Sequence, residues 1–280
     1  MTPALFSLTV FGFSLFAGTV GSLLGIGGGL LIVPFLTLAL GVDIRYAIGA
    51  SIVSVIATSS GAAAGYVRER LTNIRVAMFL EVATTAGAIT GAFTAALVGG
   101  KWLFLLFGTI IAYSAVSMLL KMLPRAKPMR GMPPDRLSDV LGLHGSYYDE
   151  AEGGEVSYKV TRAPLGFALM YCAGVSSGLL GIGSGALKVP ALDLGMRLPI
   201  KVSTATSNFM IGVTAAASAG VYFARGDIDP FVAAPVAAGV VMGAFFGSKL
   251  LKHIRASVIR VMFVAVLLWI SWQMFSKGLA

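Results

Sequence analysis

Apolar positions run along this chain in long blocks, without the strict alternation of a half-buried strand. Residues 1–42 carry no charge, and further uncharged runs cover 82–100, 102–120, 163–187, 202–224, 230–248 and 261–276. Several reach the ~20 residues that a helix needs to cross a bilayer. Divided at glycine, proline and charge, the first half gives apolar segments at about 4–24, 28–41, 46–67, 76–98 and 102–121. The second half gives 163–181, 184–196, 199–224, 230–249 and 256–276. The pattern predicts an all-α polytopic membrane protein.

The second segment of each half is short. At 1.5 Å per residue it reaches about 20 Å, less than the ~30 Å hydrocarbon core. The glycines before it are therefore expected to break the helix. These breaks recur. Residues 18–34 read GTVGSLLGIGGGLLIVP and residues 174–190 read GVSSGLLGIGSGALKVP. Gly87, Gly91, Ala92 and Phe93 similarly match Gly239, Gly243, Ala244 and Phe245. The chain thus reads as a first transmembrane repeat (1–121), an insert (122–162) and a second repeat (163–280). The insert opens on Pro124, Pro128, Pro133 and Pro134, which exclude a long helix there. It then carries a Gly153-Gly154 turn between Tyr- and Val-containing stretches, which predicts a β-hairpin.

Charge changes the picture by giving the blocks an orientation. Charged residues are 12% of the chain, about half the usual share, and the formal net charge is +9. If each broken pair makes an even number of crossings, most of the 21 Lys and Arg fall on one side. Arg68, Arg70, Arg75, the bases of the insert, Arg197, Lys201, Lys249, Lys252, Arg255 and Arg260 lie there. Arg45, Lys101, Arg225 and Lys277 lie opposite. The positive-inside rule then places the insert in the cytoplasm and both termini outside the cell membrane (an inner membrane in a two-membrane cell). Equivalent loops of the two halves carry opposite bias, as inverted-topology repeats require. Inverted repeats with broken helices are a transporter architecture.

The basic charge sits in short loops, so a nucleic-acid partner is not expected. Cys172 is the single cysteine, and His144 and His253 are assigned to loops. No metal site, no cofactor and no catalytic group for an enzyme is expected. The GxGxxA-like run ending at Ala186 lacks a preceding strand and is no dinucleotide fingerprint.

The candidate chemistry is anion binding. A helix that starts after a membrane-depth break points free N–H groups and a positive dipole end into its surroundings. Gly27, Gly28, Gly29 and Gly183, Ser184, Gly185 fit that description twice and are expected to face each other. Lys188 is the one base inside the two short apolar segments, and its counterpart is Ile32. An intramembrane lysine is a functional candidate by default, although its long stem also allows snorkelling to the interface. Glu81 is the one acid deep in 76–98. It reads equally as a proton- or cation-coupling group or as the partner of a base at the membrane edge, near Arg75. Ser51 and Ser54 in the first half, and Thr206 and Asn208 in the second, lie in polar clusters that could contact a ligand or join helices.

The paired GIGGG and GIGSG segments, each followed by Val-Pro, and the charged middle loop resemble the TauE/SafE family of sulfite and sulfoacetate exporters. The resemblance covers both halves. It implies a transporter of sulfur-containing or other small organic anions, coupled to an ion gradient. An anion channel and a non-transporting scaffold share the same residues and stay open from sequence. So do the oligomeric state, including a homodimer, and the coupling ion.

Overall fold

The computed structural model describes residues 2–95, 97–98, 100–122, 135–150, 153–181, 184–251 and 253–279. Gly183, the prolines at 124–134 and the hairpin tip at 151–152 lie outside the described residues. The first half contains α1 (Pro3–Leu24), α2 (Gly29–Pro34), α3 (Ile44–Arg68), α4 (Ile74–Ala95) and α5 (Gly100–Met122). The insert supplies α6 (Arg136–Val140), β1 (Gly145–Asp149) and β2 (Gly154–Tyr158). The second half contains α7 (Ala163–Leu180), α8 (Gly185–Pro190), α9 (Ile200–Ala224), α10 (Pro230–Leu251) and α11 (Ala256–Leu279). Six helices are long and apolar enough to cross a membrane: α1, α3, α4, α7, α10 and most of α11. The chain is a multi-pass, all-α membrane protein with one small hairpin.

The breaks form where the sequence places them. Gly25 and Gly181 take left-handed φ values of 73° and 64° and cap α1 and α7. A side chain would oppose that conformation. In both repeats the short helix ends at a proline, Pro34 or Pro190. The missing N–H and the bulk of the ring favour a wider turn. Each proline is followed by a five-residue π-helical turn, Phe35–Ala39 or Ala191–Gly195. With its π turn, α2 spans only about 16 Å. Gly28 lies beside Thr58 and Gly29 beside Ser51, so α2 runs back along α3 toward the start of α3. The first broken pair therefore folds back toward the start of α3.

Equivalent residues make equivalent bonds. Tyr66 donates to Ser22 O at 2.8 Å, and Tyr222 donates to Gly178 O at 2.7 Å. Ser51 donates to Gly181 O and Ser207 to Gly25 O, both at 2.7 Å. The second pair of bonds crosses between the repeats.

Contact order along the helices shows that the repeats are inverted. Gly239, Gly243 and Gly247 of α10 meet Phe11, Leu15 and Thr19 of α1 in the same sequence sense, so α1 and α10 run parallel. Gly61 and Gly65 of α3 meet Val241 and Ser248, so α3 runs with them. Gly49 and Ser59 of α3 meet Asp227 and Asn208, so α9 runs the other way. Asn73, Glu81 and Ala92 meet Thr206, Thr214 and Arg225 in order, which aligns α4 with α9. Gly87 and Gly91 of α4 meet Tyr171 and Val175, which aligns α7 with α4. Equivalent helices α1 and α7 thus point in opposite directions.

The same contacts show that the repeats interlock, with α1 on α10 and α4 on α7. The GxxxG-type pairs Gly87/Gly91 and Gly243/Gly247 are close points of these interfaces, and Gly178 faces the Ala88 carbonyl. A methyl group there meets backbone that cannot yield. Gly91→Val is expected to destabilise by about 1–3 kcal/mol or more. Gly12→Ala, where nothing lies within 4 Å, should be neutral or stabilising. Thermal unfolding of the two variants in detergent checks this contrast.

The insert docks on the bundle. Asn73 Nδ2 donates to Leu143 O at 2.8 Å and to the Tyr158 oxygen at 3.0 Å. Arg75 donates to Gly142 O at 3.0 Å. Burial pushes the Tyr158 phenol above its ordinary value. Asp149 of β1 reaches Lys201 in the first turn of α9 at 2.7 Å, with both side chains almost fully buried. The expected linker is therefore also a cap over one end of the bundle.

Candidate functional site

The two breaks meet, as expected from inverted repeats. A side chain on Gly185 would strike the Ile26 and Gly25 backbone, and one on Gly25 would strike Thr204. Gly27 packs on Ile211 and Val55, and Gly29 on Ser51. The Gly28 N–H donates to Thr58 Oγ1 at 3.3 Å. In this conformation the described glycines make a close contact between the repeats. Ser184 is buried and holds a left-handed φ of 55°, where most side chains resist.

The polar candidates divide into two groups. Ser51 bonds to the Gly181 carbonyl, and Ser54 to the Ser51 carbonyl. Thr206 accepts from Asn73 N at 3.0 Å and so ties α9 to the start of α4. Asn208 donates to Ser22 O, and its buried Oδ1 has no hydrogen-bond partner among the described residues. These four lie on α3 and α9.

Lys188 and Glu81 form a separate group that the structure brings together. Lys188 projects from α8 and its side chain is 0% exposed; that of Glu81, on α4, is 13% exposed. Lys188 Nζ lies 3.7 Å from Glu81 Oε2. The same Nζ donates to Thr214 Oγ1 at 2.6 Å, and the Thr214 hydroxyl donates to Glu81 Oε1 at 2.7 Å. Thr85 donates to the same oxygen at 3.2 Å. Glu81 Oε2 is buried with no hydrogen bond among the described residues. Arg75, the base closest to Glu81 on α4, is engaged by the insert instead. Lys188 does not snorkel here; it ends between the Glu81 carboxylate of α4 and the Thr214 hydroxyl near the middle of α9.

Sequence reasoning missed Thr214 and the pairing itself. A signal for Thr214 existed: the offset that matches Gly25 to Gly181 also matches Thr58 to Thr214. The pairing could have been named from two opposite charges in otherwise uncharged segments. An ammonium with three donors uses one on Thr214, so it has capacity for an anion once its carboxylate partner is neutral. Among the described residues no cluster of side chains suits a metal ion.

A cavity lies beside the short helix of each repeat. One of 410 Å³, lined by Cys172, Leu187 and Pro190 among others, has a smaller mate of 370 Å³ at Pro34, Phe35 and Trp269. Both are apolar and fall at equivalent places. Lys188 and Glu81 line neither, and the pair is occluded.

The family described as Sulfite exporter TauE/SafE matches residues 10–274. A probable membrane transporter protein of Bacillus subtilis, YunE, is 28% identical over 272 residues, covering 95% of this chain and 96% of that protein. A probable membrane transporter protein of Xylella fastidiosa (strain 9a5c) is 27% identical over 274 residues, covering 94% and 95%. No solved structure matches.

Proposed function

The chain belongs to the TauE/SafE sulfite exporter family, a family of membrane transporters, and from that premise we propose that it is a secondary transporter of small anions. The substrates proposed are sulfur-containing oxyanions or organosulfonates. Lys188 is the charge partner of the anion, Glu81 the coupling group, and Thr214 the hydroxyl between them. Gly27, Gly28, Gly29, Ser184 and Gly185 form the contact about which the interlocked repeats roll in alternating access. The insert faces the cytoplasm in this reading, because the basic loops gather at its end of the bundle.

The observation that carries the reading is the fully buried Lys188, held by a single carboxylate where membrane charge is expensive. Occlusion of the pair favours a carrier over an open channel. Uptake of sulfite, thiosulfate, sulfate, sulfoacetate and taurine into proteoliposomes tests it. Saturable flux of at least one anion is expected. A large unsaturable current would mean a channel, and no flux from folded protein would overturn anion transport.

A further inference from the structure

The Lys188–Glu81 pair is neutral as a unit, and that neutrality restricts what can travel with the anion. We propose that this site moves one proton together with one singly charged anion, making the protein an electroneutral proton–monoanion symporter. The inference rests on the anion-transport reading above.

Two anions compete for one ammonium. Glu81 Oε2 stands 3.7 Å from Lys188 Nζ. While it is ionised, an incoming oxyanion must displace it or share the same cation against its repulsion. A proton on Glu81 removes that competitor and leaves Lys188 to the anion. Proton and anion therefore favour each other's binding, which is the linkage of a symporter. An antiporter needs the opposite. The buried Oε2, without a hydrogen bond among the described residues, is the oxygen open to that proton. The Thr214 hydroxyl, now donating to Oε1, can turn to the anion.

Other titratable groups on the surrounding elements have partners of their own. On the π turn that follows α8, Asp193 is buried and is itself engaged. On α4, Arg75 is held by the Gly142 carbonyl. On α9, Lys201 is paired with Asp149 and Arg225 with Asp227, while Tyr222 donates to Gly178 O. On α7, the Tyr171 hydroxyl lies beside Thr90, and Cys172 is exposed. Among the described residues, the ion pair of Glu81 is with Lys188 alone.

Only neutral states pass easily through the occluded form, because an uncompensated charge in the membrane is costly. Two states qualify. One is empty, with Lys188 charged and Glu81 ionised. The other holds the anion, with Lys188 charged and Glu81 protonated. The proton taken from one side is released on the other with the anion, and no covalent bond other than the carboxyl O–H is made or broken. A dianion would need a second proton, for which the pair has no acceptor. Hydrogensulfite and monosulfonates fit; sulfate, thiosulfate and sulfoacetate do not. An exterior more acidic than the interior drives the anion inward, and a steeper outward anion gradient reverses the flow.

The test uses the full chain in proteoliposomes with labelled methanesulfonate, and sulfite at mildly acidic pH, against sulfate. A gradient of about one pH unit, acid outside, should accumulate the monoanion about tenfold at steady state. An imposed membrane potential of either sign should change nothing. Glu81→Gln should lower net uptake about a hundredfold, because the empty carrier then returns with a bare cation, an extra ~3 kcal/mol. The same variant should retain exchange of labelled for unlabelled anion, which shows that it is folded. Accumulation driven by an alkaline exterior, potential-dependent uptake, or proton-driven net uptake by Glu81→Gln would overturn the stoichiometry while anion transport stood. Transport of sulfate in preference to the monoanions would do the same. Absence of flux and exchange for every anion would remove the transport reading beneath it.

Discussion

Replacing Asp149 by alanine is expected to destabilise the protein by about 3–5 kcal/mol, the usual consequence of removing one member of a buried ion pair. Asp149 and Lys201 are 2% and 1% exposed, with 2.7 Å between them. Tyr147 adds a hydrogen bond to the other carboxylate oxygen at 3.2 Å. Lys201 sits in the first turn of α9, where a buried cation also opposes the positive end of the helix. The double variant Asp149→Leu/Lys201→Met should recover most of the loss, since matched apolar groups replace a buried pair at little net cost. Thermal unfolding in detergent measures both. Equal losses in the single and double variants would mean that the hairpin, rather than the ion pair, is at fault.

Lys188→Met is expected to abolish anion transport, by a factor of about a hundred or more, because the anion then has no cation to meet in the membrane. The single variant also leaves Glu81 unpaired, so a loss of flux by itself could reflect poor folding. Lys188→Met/Glu81→Leu separates the two effects. It removes both charges and should unfold at or above the temperature of the single variant, yet remain inactive. Lys188→Arg should not restore wild-type flux, because the planar guanidinium differs in shape from the compact ammonium that fits between Thr214 and Glu81. Normal transport by the double variant would reduce the pair to a structural feature, as a non-transporting scaffold would require.

Much of the architecture was legible in the sequence because a membrane imposes it. Uncharged runs had to be helices, and the described helix ends fall within a few residues of the expected segments. The breaks were legible because glycine and proline act locally: Gly25, Gly181, Pro34 and Pro190 act on the backbone they occupy. The inversion was visible in the loop charges. Partnership between distant elements was not legible. Sequence showed Lys188 and Glu81 as two isolated anomalies, but their meeting depends on α4 lying alongside α9 and α8 together, a consequence of the interlocked repeats. Lys201 looked like one more loop base, and only the docked hairpin shows why it is buried. The glycine motif suggested an open cradle for an anion. The described glycines of the motif also lie where one repeat touches the other, because a residue without a side chain serves close packing as readily as ligand approach.

The central claim is that one buried site is reached in turn from each side of the membrane. Thr214 is the place to test it, being 0% exposed and bonded to both members of the pair. With Cys172, the single native cysteine, changed to Ser, Thr214→Cys becomes the sole thiol. Its labelling by a membrane-impermeant thiol reagent would be followed in right-side-out and in inside-out vesicles, with and without the transported anion. Slow labelling is expected from both sides, with the anion changing the two rates. Labelling from one side only, whatever anion is present, would contradict alternating access at this site.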